Sequence, residues 1–224
     1  MPVLGVERAV LVQPSVYGTD NSAMLDALEE AGPGFRGVAV PRPDIDDASL
    51  HRLHAAGVRG FRLNVVNPSV LSVEDAVEIS HRVEGLGWHM DLQMDLGANG
   101  CSALLALAQR VPIPLVINQL GRAYASGAPR ELISLLERGR CWIKLSAPYR
   151  LPGVDRRDEK LEQLVGSLVS ANPARILWGS DWPHTEQKET AHAANWIDRL
   201  HEWLPGAALR QQVFVINPSA LYSY

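Results

Sequence analysis

Asp181 is the residue whose setting most suggests chemistry. It stands in the stretch Ile176-Leu177-Trp178-Gly179-Ser180-Asp181-Trp182-Pro183-His184, where three apolar residues run into a glycine turn that delivers a carboxylate, followed at once by an aromatic and a proline. A carboxylate at the end of a buried strand sits where parallel α/β folds keep their reacting groups. In a pocket confined by such neighbours it can act as general base on a water, which points to hydrolysis or a related proton transfer. The same residues equally suit an Asp that ends a strand and caps the next helix.

Other candidate groups are fewer. The chain has two cysteines, Cys101 and Cys141, too few for a disulfide scaffold and too dispersed for a structural zinc site, so a reducing, cytoplasmic setting is expected. His51, His54, His81, His192 and His201 fall on helical patterns and are expected on solvated outer faces, whereas His89 opens a strand and suits a structural role. Trp142, Trp178 and Trp182 suit core or rim packing, and Gln93 and Asp95 suit fold support.

The 224 residues, 46% hydrophobic, have the make-up of a single globular domain over 1–224. Acidic residues outnumber basic ones by 25 to 21, the net charge is −4, and no basic run exceeds Arg156-Arg157, so nucleic acid is not an expected partner. No apolar segment is long enough to span a bilayer, and the first residues lack the pattern of a signal peptide, so no membrane association is expected.

Short continuous apolar runs alternate with longer amphipathic stretches, the pattern of strands covered on both faces. The expected strands are Ala9 to Gln13, Gly37 to Val40, Gly60 to Asn64, His89 to Met94, Pro114 to Asn118, Cys141 to Ser146 and Arg175 to Trp178. Between them, Asp20 is placed to cap a helix with Met24, Leu25 and Leu28, and Ser72-Val73-Glu74-Asp75 has capping-box spacing. Pro129 suits a first helical position, and Leu161, Leu164, Val165, Leu168 and Val169 form a helical stripe. A last helix uses Ala193, Trp196, Ile197 and Leu200, and a final helical segment runs from near Leu209 to Tyr222. No Gly-rich phosphate loop is present, which disfavours a dinucleotide-binding sheet. The fold class is therefore α/β, a TIM-type (β/α) barrel with seven recognisable strands; since a closed barrel needs eight, the first βα unit is read as missing.

Larger blocks then carry a resemblance. Leu4 to Ser15 with Tyr17-Gly18-Thr19-Asp20-Asn21, Ala55 to Asn64, Leu120-Gly121-Arg122, Trp178 to His184, and Asn217-Pro218 with Leu221-Tyr222 resemble the amidohydrolase-related (amidohydrolase-2) family, in its 2-pyrone-4,6-dicarboxylate lactonase-like branch. The resemblance implies a barrel that hydrolyses lactones or similar carboxylated molecules without a bound metal or cofactor. It implies that Asp181 activates the water, that Arg62 and Arg150 grip an anionic substrate through their planar forks, and that Gln13, Ser15 and Tyr17 line the pocket, with His184 part of the matched motif.

Two departures stand out. The family's first strand carries a His-x-His pair, absent from this sequence, and Gln119 stands where the family usually has a histidine. Gln119 can donate a hydrogen bond to an attacked carbonyl but cannot shuttle a proton. With Asp181 and neutral amides as the remaining donors, no metal is expected. The leading expectation is a metal-independent hydrolase in which Asp181 and Arg62 face one cavity. The rivals are a small-molecule-binding homologue that lost the chemistry and a metal-dependent decarboxylase of the same superfamily. A start codon placed too far downstream would produce the observed beginning. The strand edges of an incomplete barrel suggest a homo-oligomer, or a cover supplied by a terminal segment.

Overall fold

The computed structural model describes residues 5–67, 70–97, 100–124, 127–151, 158–185 and 193–224, with backbone alone over 193–196. Strands and helices alternate: β1 Ala9–Val12, α1 Ser22–Ala31, β2 Phe35–Ala39, α2 Asp47–Ala55, β3 Val58–Asn64, α3 Val73–Arg82, β4 His89–Gln93, α4 Gly100–Arg110, β5 Leu115–Ile117, α5 Arg130–Glu137, β6 Cys141–Ser146, α6 Glu159–Ala171, β7 Ile176–Gly179, α7 Ala193–Trp203, α8 Ala207–Gln211 and α9 Asn217–Tyr222. Strand order follows the chain from β1 to β7, the (β/α) succession of a TIM-type barrel with seven strands among the described residues. The chain divides into two compact units, one of Met1–Met94, Leu105–Val116 and Leu221–Tyr224, the other of Asp95–Leu104 and Ile117–Ala220.

In the first unit β1 to β4 pair in parallel, with Val10 opposite Arg36, Val38 opposite Gly60 and Arg62 opposite Asp91. Strand alternation sends Phe61 and Leu63 to one face, both essentially buried, and Arg62 and Asn64 to the other. Gly60 is required where β3 meets β4, because a Cβ there would lie 2.6 Å from the His89 ring. The Ser72 hydroxyl and the Asp75 carboxylate close the expected capping box of α3, and the Asp46 side chain caps α2 through Ser49 N–H at 2.6 Å. The last residues belong to this unit: Tyr222 meets His89 edge-on at 5.2 Å, and Tyr224 Oη donates to the Ala9 carbonyl at 2.9 Å.

In the second unit β6 and β7 pair in parallel, with Lys144 opposite Leu177 and Ser146 opposite Gly179. Every residue of β6 is buried, as its unbroken apolar start suggests. The stripe Leu161, Leu164, Val165 and Leu168 is the buried face of α6, whose first turn is capped by Asp158. Asn217 Nδ2 donates to the Pro173 and Ile176 carbonyls at 2.8 and 2.6 Å, tying the start of α9 to β7. Gly179 lets Lys144 pass, since a Cβ there would lie 3.1 Å from Lys144 Cδ.

Several local expectations shift. The cap of α1 is Asn21, while Asp20 reaches ahead to accept from the Ser22 N–H and hydroxyl at 3.1 and 2.6 Å. Pro129 is the residue before α5. His54 is not simply solvated: buried Trp88 needs an acceptor for its indole N–H and finds His54 Nδ1 at 3.1 Å. Trp182 does not enter a core and is 77% exposed. The final segment is broken, with a π-helical stretch Gln212–Ile216 between α8 and α9. His192 lies outside the described residues, as does the side chain of Trp196.

Candidate active site at the strand exits of the second unit

Asp181 stands two residues beyond β7, and among the described residues its carboxylate is held by side chains. Oδ2 accepts from Tyr149 Oη at 2.6 Å and from Arg150 Nε at 2.8 Å. The Arg150 fork continues to Thr185, donating from Nη2 to its carbonyl oxygen at 2.6 Å. Asp181 keeps 21% of its side-chain surface exposed, so the group is anchored through one oxygen while part of it still faces outward. A turn closed by His184 N–H on the Asp181 carbonyl, at 2.8 Å, brings buried His184 back beside Tyr149. The His184 Nδ1 lies 3.0 Å from Tyr149 Oη, and the two rings meet edge-on. Arg150 and Tyr149 come from the turn Pro148–Arg150 that follows β6, so two strand exits build this cluster.

The surroundings set the charges. Burial and the adjacent Asp181 carboxylate push the Tyr149 phenol well above its ordinary range, against the opposing pull of Arg150, so the phenol keeps its proton. Burial works against the Arg150 cation, yet Asp181 and Tyr149 more than compensate and raise it.

Gln119 follows β5 in the same unit, within a turn that lies against β6 and against the Pro148–Arg150 turn. Its backbone N–H donates to Ser146 Oγ at 3.3 Å, while its side-chain Oε1 is buried with no hydrogen-bond partner among the described residues. Backbone strain concentrates at these exits: Gln119, Ala147, Asp181 and His184 have φ of 51, 48, 54 and 59°. Left-handed backbone at non-glycine residues persists where the surroundings over-determine it, and such positions cluster at functional sites.

The other expected residues belong to the first unit, at the exits of β1 and β3. Arg62 Nη1 donates to the Gln13 carbonyl at 3.0 Å, Nη2 donates to Gln93 Oε1, and Nε is buried with no hydrogen-bond partner among the described residues. Gln13 turns its amide into the following loop, donating to the Asp20 carbonyl at 2.6 Å. Ser15 accepts from Asn64 Nδ2 at 3.2 Å, and Tyr17 projects from a short turn, largely exposed. Arg62, Gln13 and Gln93 are thus linked, and Ser15 is joined to β3 through Asn64.

Tyr149 and Thr185 were not among the expected site residues. Tyr149 had one sequence signal, its place beside Arg150 in a long strand-exit loop. Its partner Asp181 lies 32 positions away, a distance that no local pattern bridges. Among the described residues no group of three His, Cys, Asp or Glu side chains is arranged to hold a metal ion, and no helix is long and apolar enough to cross a membrane.

The geometry can be set beside known proteins. The sequence matches the amidohydrolase (Amidohydro_2) family over residues 1–223. It is 34% identical to the 2-pyrone-4,6-dicarboxylate hydrolase of Comamonas testosteroni, covering 98% of this chain and 77% of that protein. It is 27% identical to the 4-sulfomuconolactone hydrolase of Hydrogenophaga intermedia, covering 99% and 76%. A Pseudomonas putida structure described as a 2-pyrone-4,6-dicarboxylic acid hydrolase aligns with a TM-score of 0.87 at 30% identity, over 99% of this chain and 84% of that one. With a family match over nearly its whole length and these relatives, the chain belongs to the amidohydrolase family.

Proposed function

We propose that this protein is a metal-independent hydrolase of a lactone or a similar carboxylated small molecule, with Asp181 as the base that activates water. The observation that carries the reading is the anchoring of Asp181 through Oδ2 by Tyr149 and Arg150. Two donors on one oxygen hold the carboxylate plane, and Oδ1 is the edge offered to a water. Asp181 takes a proton as the water oxygen bonds to the acyl carbon, and the ring C–O bond then breaks. The departing oxygen takes up the proton, so one water is consumed and a ring-opened acid is formed. Arg150 keeps a positive charge beside the base, and its commitment to Asp181 and Thr185 makes orientation of the base its main task. Gln119 offers a buried amide at the neighbouring exit. The relatives support the substrate class, being named for hydrolysis of a pyrone dicarboxylate and of a sulfomuconolactone.

The test is turnover of a panel of lactones and carboxylated pyrones, before and after treatment with a chelator. Ring opening that survives chelation and falls by about 1000-fold or more in Asp181→Asn is the expected result. Full activity in that variant would remove Asp181 from the chemistry. Thermal stabilisation by these compounds without turnover would make the protein a binder.

A further inference from the structure

Tyr149 has one hydroxyl proton, and both Asp181 Oδ2 and His184 Nδ1 lie within hydrogen-bond distance of its oxygen. We infer that Tyr149 is the positioning residue of this site: it gives its proton to Asp181, holds His184 as the Nδ1–H tautomer, and leaves the lone pair of that ring on Nε2. The inference rests on the reading of Asp181 as the base. The argument is a proton count. Asp181 Oδ2, at 2.6 Å, belongs to an ionised carboxylate that can only accept, so the phenol donates there. Arg150 can only donate and takes no proton from either group. With its proton committed, the phenol oxygen can meet His184 Nδ1 at 3.0 Å only as an acceptor, which places a hydrogen on Nδ1.

Asp181 and His184, each within hydrogen-bond distance of the Tyr149 hydroxyl, are also joined through the main chain, by His184 N–H on the Asp181 carbonyl at 2.8 Å. A neutral His184 protonated on Nε2 instead would set two lone pairs against each other across 3.0 Å. It would then draw the phenol proton away from Asp181. The half-buried phenol, raised by its surroundings, does not escape the conflict by ionising. Tyr149 therefore fixes both the plane of the Asp181 carboxylate and the basic nitrogen of His184.

The experiment is long-range proton–nitrogen NMR on 15N-histidine-labelled protein, at a pH where imidazole is neutral, with the His184 signals identified by their loss in His184→Gln. The expected spectrum has the hydrogen on Nδ1 in the wild type and on Nε2 in Tyr149→Phe. In parallel, kcat on a lactone substrate falls by about 100-fold in Tyr149→Phe while KM stays within about threefold. An Nε2–H tautomer in the wild type overturns the inference, as does a Tyr149→Phe variant with tautomer and kcat unchanged. Should that variant fail to fold, the wild-type tautomer alone decides. If the wild type opens no lactone, the hydrolase reading falls while the tautomer still answers for Tyr149.

Discussion

Gln119 carries two costs at once. Its left-handed backbone is of a kind worth about 1–3 kcal/mol at a non-glycine residue, and its buried, unpartnered amide oxygen is worth about 1–3 kcal/mol more. Both are retained in a turn that lies against the Pro148–Arg150 turn of the Asp181 cluster. A residue kept for the fold and a residue kept for the reaction answer differently to Gln119→Met, which preserves length and removes the polar group. The backbone hydrogen bond to Ser146 survives this change. The expected outcome is an unchanged or slightly higher melting temperature, with a gain of about 1 kcal/mol corresponding to roughly 2–4 °C. Lactone turnover is expected to drop by about 10-fold or more in the same protein. A lower melting temperature with intact turnover would assign Gln119 to fold support.

The turn that presents Gln119 is the element on which this geometry depends. Leu120, Gly121 and Arg122 continue the left-handed run, and Gly121 N–H closes the turn on the Asn118 carbonyl at 2.9 Å. Leu96 N–H donates to the Gly121 carbonyl at 2.9 Å, and a Cβ on Gly121 would lie 2.6 Å from Leu96 Cδ1. Gly121→Ala therefore meets a steric clash and an unfavourable φ together. A destabilisation of about 1–3 kcal/mol is expected in urea denaturation, with kcat falling beside it. A stable variant with full activity would show that the turn can relax without moving the site. Strands and caps were legible because their causes are local. Cys141 to Ser146 reads as a buried strand from its own residues, and Ser72 to Asp75 reads as a capping box from its own spacing. Tyr149 on Asp181, Trp88 on His54 and the Gln13 amide on the Asp20 carbonyl were not legible, because each pairing is decided by tertiary approach or loop geometry. The strained turn was equally hidden, since nothing in Gln119, Leu120 or Arg122 announces a left-handed backbone.

At the scale of the whole molecule, both compact units hold buried groups that can lose a proton, and this makes alkali a common weakness. In the second unit, burial pushes the Cys141 thiol from 9.0 up to about 12, against a smaller opposing effect of Arg175. In the first, burial raises Tyr224 from 10.0 to about 12, with Arg36 and Arg8 pulling the other way, and burial also holds Tyr222 well above its ordinary value. Each group has a folded value above its unfolded one, so its stabilising contribution is complete below the unfolded value. As pH rises from about 9 to about 12, the unfolded chain releases protons that the native chain retains, and the native state loses ground. For Cys141, three pH units correspond to on the order of 4 kcal/mol at full extent. Urea midpoints measured at pH 8, 10 and 11 are expected to fall progressively. The fall should be shallower in Cys141→Ala, and Tyr224→Phe should soften it independently, because the two groups lie in different units. Equal slopes in the wild type and both variants would mean that alkaline unfolding is driven by the growing net negative charge of the chain, which already stands at −4 near neutrality.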